Sequence, residues 1–334
     1  MRFALTEDQR AFAAAVRDFC AKECRPEALR AAWASDTGWS RERWSGLAGL
    51  GVTGMTVPEE HGGLGFGEPE LVAVLEETGR VALPEPLTET VAVAAPLLAA
   101  VGGDAAARWL PAIAAGEAVV STALAGAPYV LFADSCEALL IEHGDELHLV
   151  ESGAVGVDPQ PSVDRARRLS RVAWEPSDAT RLGEDAGALL GLAADRGALA
   201  AAAQLIGVGA HLIEVTVGYA KERQQFGQPI GGFQAVKHHL ADSLLLLEFA
   251  RPAVHRAAWS VVTDAPTRGR DVSMAKAYAS DAAERAARVA LQVHGAIGYT
   301  FEFDLHLWMK RAWALAAAWG DAAHHRRRVA DAIL

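Results

Sequence analysis

Two stretches of the chain carry residue types able to hold a phosphate. The first, Arg223-Gln224-Gln225-Phe226-Gly227-Gln228-Pro229-Ile230-Gly231-Gly232-Phe233-Gln234, sits at a junction between two apolar helical stripes. An arginine at a helix end followed by a bend offers a fixed guanidinium fork, which can pair with two phosphate oxygens at once. The second, Gln292-Val293-His294-Gly295-Ala296-Ile297-Gly298-Tyr299, closes a third stripe. Glycines at 295 and 298 let backbone amides approach a ligand closely, because no Cβ stands in the way. Each stretch taken alone also reads as an ordinary breaker loop between helices.

The elements that must position these stretches are mostly helical. Thr6-Glu7-Asp8-Gln9 fits a capping box, and Phe12, Val16 and Phe19 then share a face, so a helix is predicted over about 6–24. Val57-Pro58-Glu59-Glu60-His61-Gly62-Gly63-Leu64-Gly65 breaks the periodicity and predicts an ordered turn. Leu71, Val74, Leu75 and Thr78 resume it until Gly79, which is expected to end the helix, and a further helix is expected over 105–115. From about 119 to 183 the texture changes to short β-rich runs at 119–124, 129–133, 138–142, 146–150 and 169–174. Beyond Glu184 come the long stripes: Leu205, Ile206, Gly209, Leu212, Ile213 and Thr216, then Phe233, Val236, Leu240, Leu244 and Leu247, then a helix from Thr267 to His294 stopped by Gly295. This predicts three regions, 1–118 helical, 119–183 a small β-region and 184–334 helical.

Composition bounds the function. The chain has 334 residues, 51% hydrophobic and 22% charged, which suits a packed interior, and its net charge is −11. An acidic surface disfavours nucleic acid and anionic membranes, since both attract positive fields. Cys20, Cys24 and Cys136 are too few and too irregular for a disulfide framework or a structural zinc site, and are expected as buried reduced thiols. The start, Met1-Arg2 leading into Thr6-Glu7-Asp8, has no apolar segment behind a basic one, and no run is a full membrane span, so a cytoplasmic chain is expected.

Taken together and in order, the two stretches resemble the acyl-CoA dehydrogenase family. Its C-terminal domain carries Arg-x-x-Phe-Gly-x-x-Ile/Leu-x-x-Phe-Gln, matched fully from Arg223 to Gln234, and then Gln-x-x-Gly-Gly-x-Gly-Tyr/Phe, matched from Gln292 to Tyr299 except at Ala296. Leu5-Thr6-Glu7-Asp8-Gln9, the Val57–Gly65 stretch and Glu76-Glu77-Thr78-Gly79-Arg80 are similar to the family as well. The resemblance implies a mainly α chain with a small β-domain, an α–β–α architecture whose C-terminal four-helix bundle dimerises. It also implies FAD as cofactor, an acyl-CoA thioester as substrate and electron-transferring flavoprotein as electron acceptor. In the family the residues matching Arg223, Gln292, Gly295 and Gly298 grip the ADP half of an FAD whose flavin lies in the neighbouring subunit. Gln225, Phe226 and Gln234 fall in the same strip.

The departures from that pattern are informative. The family's catalytic Glu precedes a Gly-Thr pair, and an ungapped count from Gly298 places Trp319-Gly320-Asp321 there. An indole has no basic lone pair with which to take a proton. The alternative position for the Glu, counted back from Arg223, is Gly197. Asp321 is the nearest substitute, and it also reads as the N-cap of the last helix, while Glu302 and Asp304 read as surface residues. The Thr-Glu-Pro-x-x-Gly-Ser-Asp segment that cups the flavin is replaced by Ser121 to Pro128 running directly into Tyr129 to Asp134, and 334 residues is short for the family. His324-His325-Arg326-Arg327-Arg328 reads as a solvated face and His238-His239 as a pair pointing different ways, so no metal is expected.

The expectation is therefore an FAD-completing subunit of a heteromeric acyl-CoA dehydrogenase, its homologous partner supplying the Glu, with steroid side chains or other lipids as the substrate class. A self-sufficient homodimer with a displaced carboxylate, and a scaffold that kept the fold, are the alternatives.

Overall fold

Helix formation starts at a signal legible in the sequence. In the computed structural model, which describes residues 6–124, 127–183 and 185–334, the Gln9 amide donates to the Thr6 hydroxyl at 3.2 Å and the Thr6 amide donates to the Gln9 side chain at 2.8 Å. This capping box opens α1 (Glu7–Glu23), whose buried face is Ala13, Val16 and Cys20; Phe12 and Phe19 lie at its edges, half-buried. Leu5, Ala125, Gly126 and Glu184, on which parts of the motif, the Ser121–Pro128 run and the last domain boundary fall, lie outside the described residues.

The chain divides into two compact units, one comprising Glu27–Leu71 and Pro84–Ala200, the other Met1–Pro26, Val72–Leu83 and Ala201–Leu334. The helices leading into the β-region are α2 (Pro26–Ala34), α3 (Arg41–Gly49), α4 (Glu68–Arg80), α5 (Ala95–Val101) and α6 (Gly103–Ala114), with a π-helical turn over Thr88–Ala94. The strands are β1 (Val120–Ala123), β2 (Val130–Leu131), β3 (Ala138–His143), β4 (Glu146–Glu151), β5 (Gly156–Gln160), β6 (Leu169–Ala173) and β7 (Arg181–Gly183). They form two small sheets of order β1-β3-β4-β7 and β2-β6-β5, with β1 parallel to β3 and the other pairs antiparallel. In the same unit Arg43 Nε donates to Glu85 Oε1 at 2.6 Å, both side chains buried, and burial outweighs the arginine in pushing the Glu85 carboxyl up. The 57–65 stretch is an ordered turn: a Cβ at Gly63 would sit 2.0 Å from the Val57 carbonyl, so only glycine closes it.

The long helices follow: α7 (Gly187–Glu222), whose residues from Ala201 onward belong to the second unit, then α8 (Gln234–Val262), α9 (Arg268–His294), α10 (Leu305–Ala317) and α11 (Ala322–Ile333) within it, with the hairpin β8 (Gln224–Gln225) and β9 (Gln228–Pro229) between α7 and α8. The chain is thus mainly α with a small β-region, helices preceding and following the strands in the sequence. The predicted α7 stripe is buried: Leu205, Leu212 and Thr216 are inaccessible to solvent. Gly79 does not end α4. It lies inside the helix, where a Cβ would sit 2.2 Å from the Gln204 carbonyl of α7, so glycine serves a backbone-on-backbone crossing here. The α8 stripe also differs from a core face, since Leu247 is buried while Leu244, Leu245 and Phe249 are exposed. By length and composition α7 alone among the described helices could cross a membrane, and 78% of its most apolar window is buried inside the protein.

Candidate functional site

The last turn of α7 delivers Arg223 to the surface. Its amide donates to the Tyr219 carbonyl at 2.9 Å and its carbonyl accepts from Ile230 at 2.8 Å, which closes the β8–β9 hairpin. The guanidinium is exposed and makes no hydrogen bond or ion pair among the described residues. The two-residue hairpin loop is Phe226-Gly227 with φ of 53° and 78°. Both central residues are left-handed, the arrangement that matches strand twist and normally selects Asn-Gly. A phenylalanine there costs on the order of 1–2 kcal/mol. It is also 92% exposed, touching Phe233 only edge-on at 6.0 Å between centroids, so internal packing does not explain the strain. Gln225 and Gln234 lie exposed on the same strip.

The other stretch is built at the end of α9. Gly295 stops the helix with φ 65°, and its amide donates to the Leu291 carbonyl. Gly295–Tyr299 then forms a tight turn in which Gly298 is buried; a Cβ there would meet the His294 Cβ at 2.9 Å and Leu305 Cδ2 at 3.2 Å. Gln292 is exposed just before the turn, with Ile297 and Tyr299 exposed within it. The two stretches are brought together by rings the sequence reading passed over. Tyr219 of α7 stacks on His294 at 4.2 Å and 25°, and Phe303 closes on the same histidine at 5.0 Å. The available signals were spacing: Tyr219 is one helical turn before Arg223, and His294 lies between Gln292 and Gly295.

The donor set suits the ADP half of FAD. An exposed unpaired guanidinium, two exposed carboxamides at Gln234 and Gln292 with no side-chain partner among the described residues, and a turn held open by glycine are what pyrophosphate and sugar oxygens require.

The position counted for the family's base lies in the α10–α11 turn. Trp319 is held at φ 57°, His325 Nε2 donates to its carbonyl at 2.9 Å, and Lys276 Nζ donates to the carbonyls of Ala316 and Gly320 at 2.9 Å each. Gly320 has φ 92°, and a Cβ would sit 2.6 Å from His324 Cδ2. Asp321 caps α11 by accepting from the His324 amide at 2.7 Å, which holds its carboxyl below the usual carboxylate range. The expectation that 324–328 forms one solvated face fails at His325, which is buried against Ser273 and the Trp319 carbonyl and is pushed down to about 4 by that burial. Glu302 is exposed, Asp304 precedes α10, and Gly197 lies within α7. Cys20, Cys24 and Cys136 are buried and form no disulfide, and no cluster of metal-ligating side chains occurs among the described residues.

Comparison with known proteins gives one consistent result. Residues 6–117 match the acyl-CoA dehydrogenase N-terminal domain model and residues 189–334 the acyl-CoA dehydrogenase C-terminal domain model. The chain is 33% identical over 326 residues to acyl-CoA dehydrogenase IpdE2 of Mycolicibacterium smegmatis, covering 97% of this chain and 98% of that protein. Among solved structures it superposes with TM-score 0.90 on a chain of the ChsE4-ChsE5 complex from Mycobacterium tuberculosis, at 27% identity and covering 99% of this chain and 98% of that one. It superposes equally, with TM-score 0.90 at 26% identity and 98% of each chain, on a chain of the Tcur3481-Tcur3483 steroid ACAD G363A variant.

Proposed function

The chain belongs to the acyl-CoA dehydrogenase family of FAD-binding oxidoreductases, and from that premise we propose that it completes the FAD site of a heteromer whose homologous partner supplies the catalytic carboxylate. The observation that carries this reading is the pairing of an exposed, unpaired Arg223 strip with Trp319 at the counted place of the base. A strip facing solvent is suited to an FAD seated in a neighbour. The exposed apolar side chains of Leu244, Leu245 and Phe249 on α8 support a covered face on the same unit. Complexes of two unequal names, ChsE4-ChsE5 and Tcur3481-Tcur3483, are among the structural neighbours, and the second is described as a steroid enzyme, which supports an acyl-CoA with a steroid or other lipid acyl group as substrate.

In this reading a bound FAD would supply the hydride acceptor for the β-hydrogen, and a carboxylate of the partner would take the α-proton. This chain's work is binding and orientation. The Arg223 fork would neutralise phosphate charge, the Gln292 and Gln234 carboxamides would donate to oxygens around it, and Gly295, with nothing within 4 Å of its Cβ position, would leave room for a ligand to approach the turn, while Gly298 lets that turn close on His294 and Leu305. Phe226, projecting from its strained hairpin, offers an apolar wall at the same strip. The 1–118, 119–183 and 184–334 regions divide the labour, the last holding cofactor and partner, with electron-transferring flavoprotein as acceptor in the cytoplasm.

The test is to purify the chain alone and together with a full-length acyl-CoA dehydrogenase of the same organism that carries the catalytic Glu. FAD and dehydrogenation are expected only in the pair, and a flavin-loaded, active solitary chain overturns the reading. Arg223→Ala is expected to cost about 1.5–3 kcal/mol of FAD binding in the pair, the weight of a charge-assisted contact; unchanged FAD content would instead favour a scaffold that kept the fold.

A further inference from the structure

The Arg223 strip and the glycine turn come from helices more than 60 residues apart in the chain, yet a shared grip on one ligand needs both at a set separation. We infer that Tyr219 and His294 are positioning residues that lock these two segments together, so that the ADP half of FAD meets one preassembled surface. This rests on the reading above of Arg223 and the 295–298 turn as the cofactor strip.

The geometry of His294 leaves it little freedom. Its Nδ1 donates to the Ala290 carbonyl one helical turn back at 2.7 Å. In the neutral ring, which burial favours, Nε2 then carries no proton, and it is buried with no hydrogen-bond partner among the described residues. One ring face stacks on Tyr219, whose hydroxyl lies 3.5 Å from the His294 carbonyl, and Phe303 leans on the ring at 46°. A Cβ built at Gly298 would lie 2.9 Å from the His294 Cβ, so the turn closes against the histidine only because residue 298 is glycine. The histidine thus touches α7 through its ring, and the glycine turn folds against its Cβ. Tyr219 in turn accepts the Arg223 amide through its carbonyl, so the same two residues reach both ends of the strip. A stack of this kind restricts the relative motion of its two supports.

The experiment uses the assembled heteromer, stripped of FAD and titrated with FAD and separately with ADP. His294→Leu and Tyr219→Leu are each expected to weaken both ligands roughly three- to tenfold. The ring-preserving variants His294→Phe and Tyr219→Phe are expected to stay within about twofold of the parent. Because the stack acts through Arg223, His294→Leu combined with Arg223→Ala is expected to lose less than the product of the two single losses. His294→Leu that lowers the melting temperature but leaves FAD and ADP affinity intact overturns the inference, as does His294→Phe that loses as much as His294→Leu. If Arg223→Ala itself leaves FAD bound, the cofactor-strip reading fails; if Arg223→Ala loses FAD while the leucine variants do not, only the coupling fails.

Discussion

Gly207→Ala is a sharp test of the helix crossing on which the direction of α7, and hence the placement of Arg223, depends. A Cβ built at Gly207 would sit 2.0 Å from the Glu76 carbonyl oxygen and 2.7 Å from the Arg80 amide of α4. Both atoms are backbone, so no rotamer change relieves the clash. Reaching ordinary contact requires α4 and α7 to part by about 1.4 Å or more, in a packed interior that transmits rather than absorbs strain. Overpacking of this kind costs about 1–3 kcal/mol, and backbone neighbours place Gly207 at the upper end. Alanine gains about 0.8–1 kcal/mol of helix propensity over glycine, so the net loss is about 2 kcal/mol. Thermal unfolding followed by circular dichroism should show a melting temperature several degrees lower. Gly191→Ala on the same helix is the control: it is exposed with nothing within 4 Å of its Cβ and should be neutral or stabilising. A Gly207→Ala protein that melts at or above the parent refutes the crossing.

The remaining expectations concern single groups. Asp321→Ala removes the α11 cap and should cost about 1 kcal/mol of stability, while the turnover of the heteromer stays unchanged; a collapse of turnover with native stability would make Asp321 the displaced base. Arg43→Met leaves the buried Glu85 carboxylate uncompensated and should cost about 3–5 kcal/mol, against a milder effect of Glu85→Gln, both read by denaturant unfolding. His211, stacked on Trp308 at 4.1 Å, and His325 are both pushed down to about 4 by burial, below their ordinary 6.5. Their neutral forms are favoured in the folded chain, so stability is full above pH 6.5 and falls as the pH drops toward 4, by about 3 kcal/mol for each group. His211→Phe keeps the stack and should make that acid limb shallower in melts across pH; an unchanged limb counts against the assignment.

The comparison of sequence with structure divides by the range of the forces involved. The Thr6–Gln9 capping box, the stop of α9 at Gly295 and the Phe226-Gly227 break were legible because each is decided by backbone groups within a few residues. The strands β5 and β7 were missed: Gly156, Asp158 and Pro159 carry no β-propensity of their own, and β5 forms only by pairing with β6. Gly79 looked like a helix stop because glycine usually is one, yet its role comes from a carbonyl on α7, 125 positions away in the chain. His325 sat in a run of charges that reads as solvated, and only the packing of α11 on α9 buries it.

The site followed the same division. The resemblance to the family singled out Arg223, Gln292, Gly295 and Gly298 as candidates and put Trp319 at the counted place of the base. Tertiary structure alone put those segments side by side, since the Tyr219–His294 stack joins the end of α7 to the end of α9. Local chemistry is written in short stretches of sequence, because capping, turns and donor types depend on neighbours in the chain. Contacts between distant helices depend on which faces the core selects, and that is decided only when the chain packs.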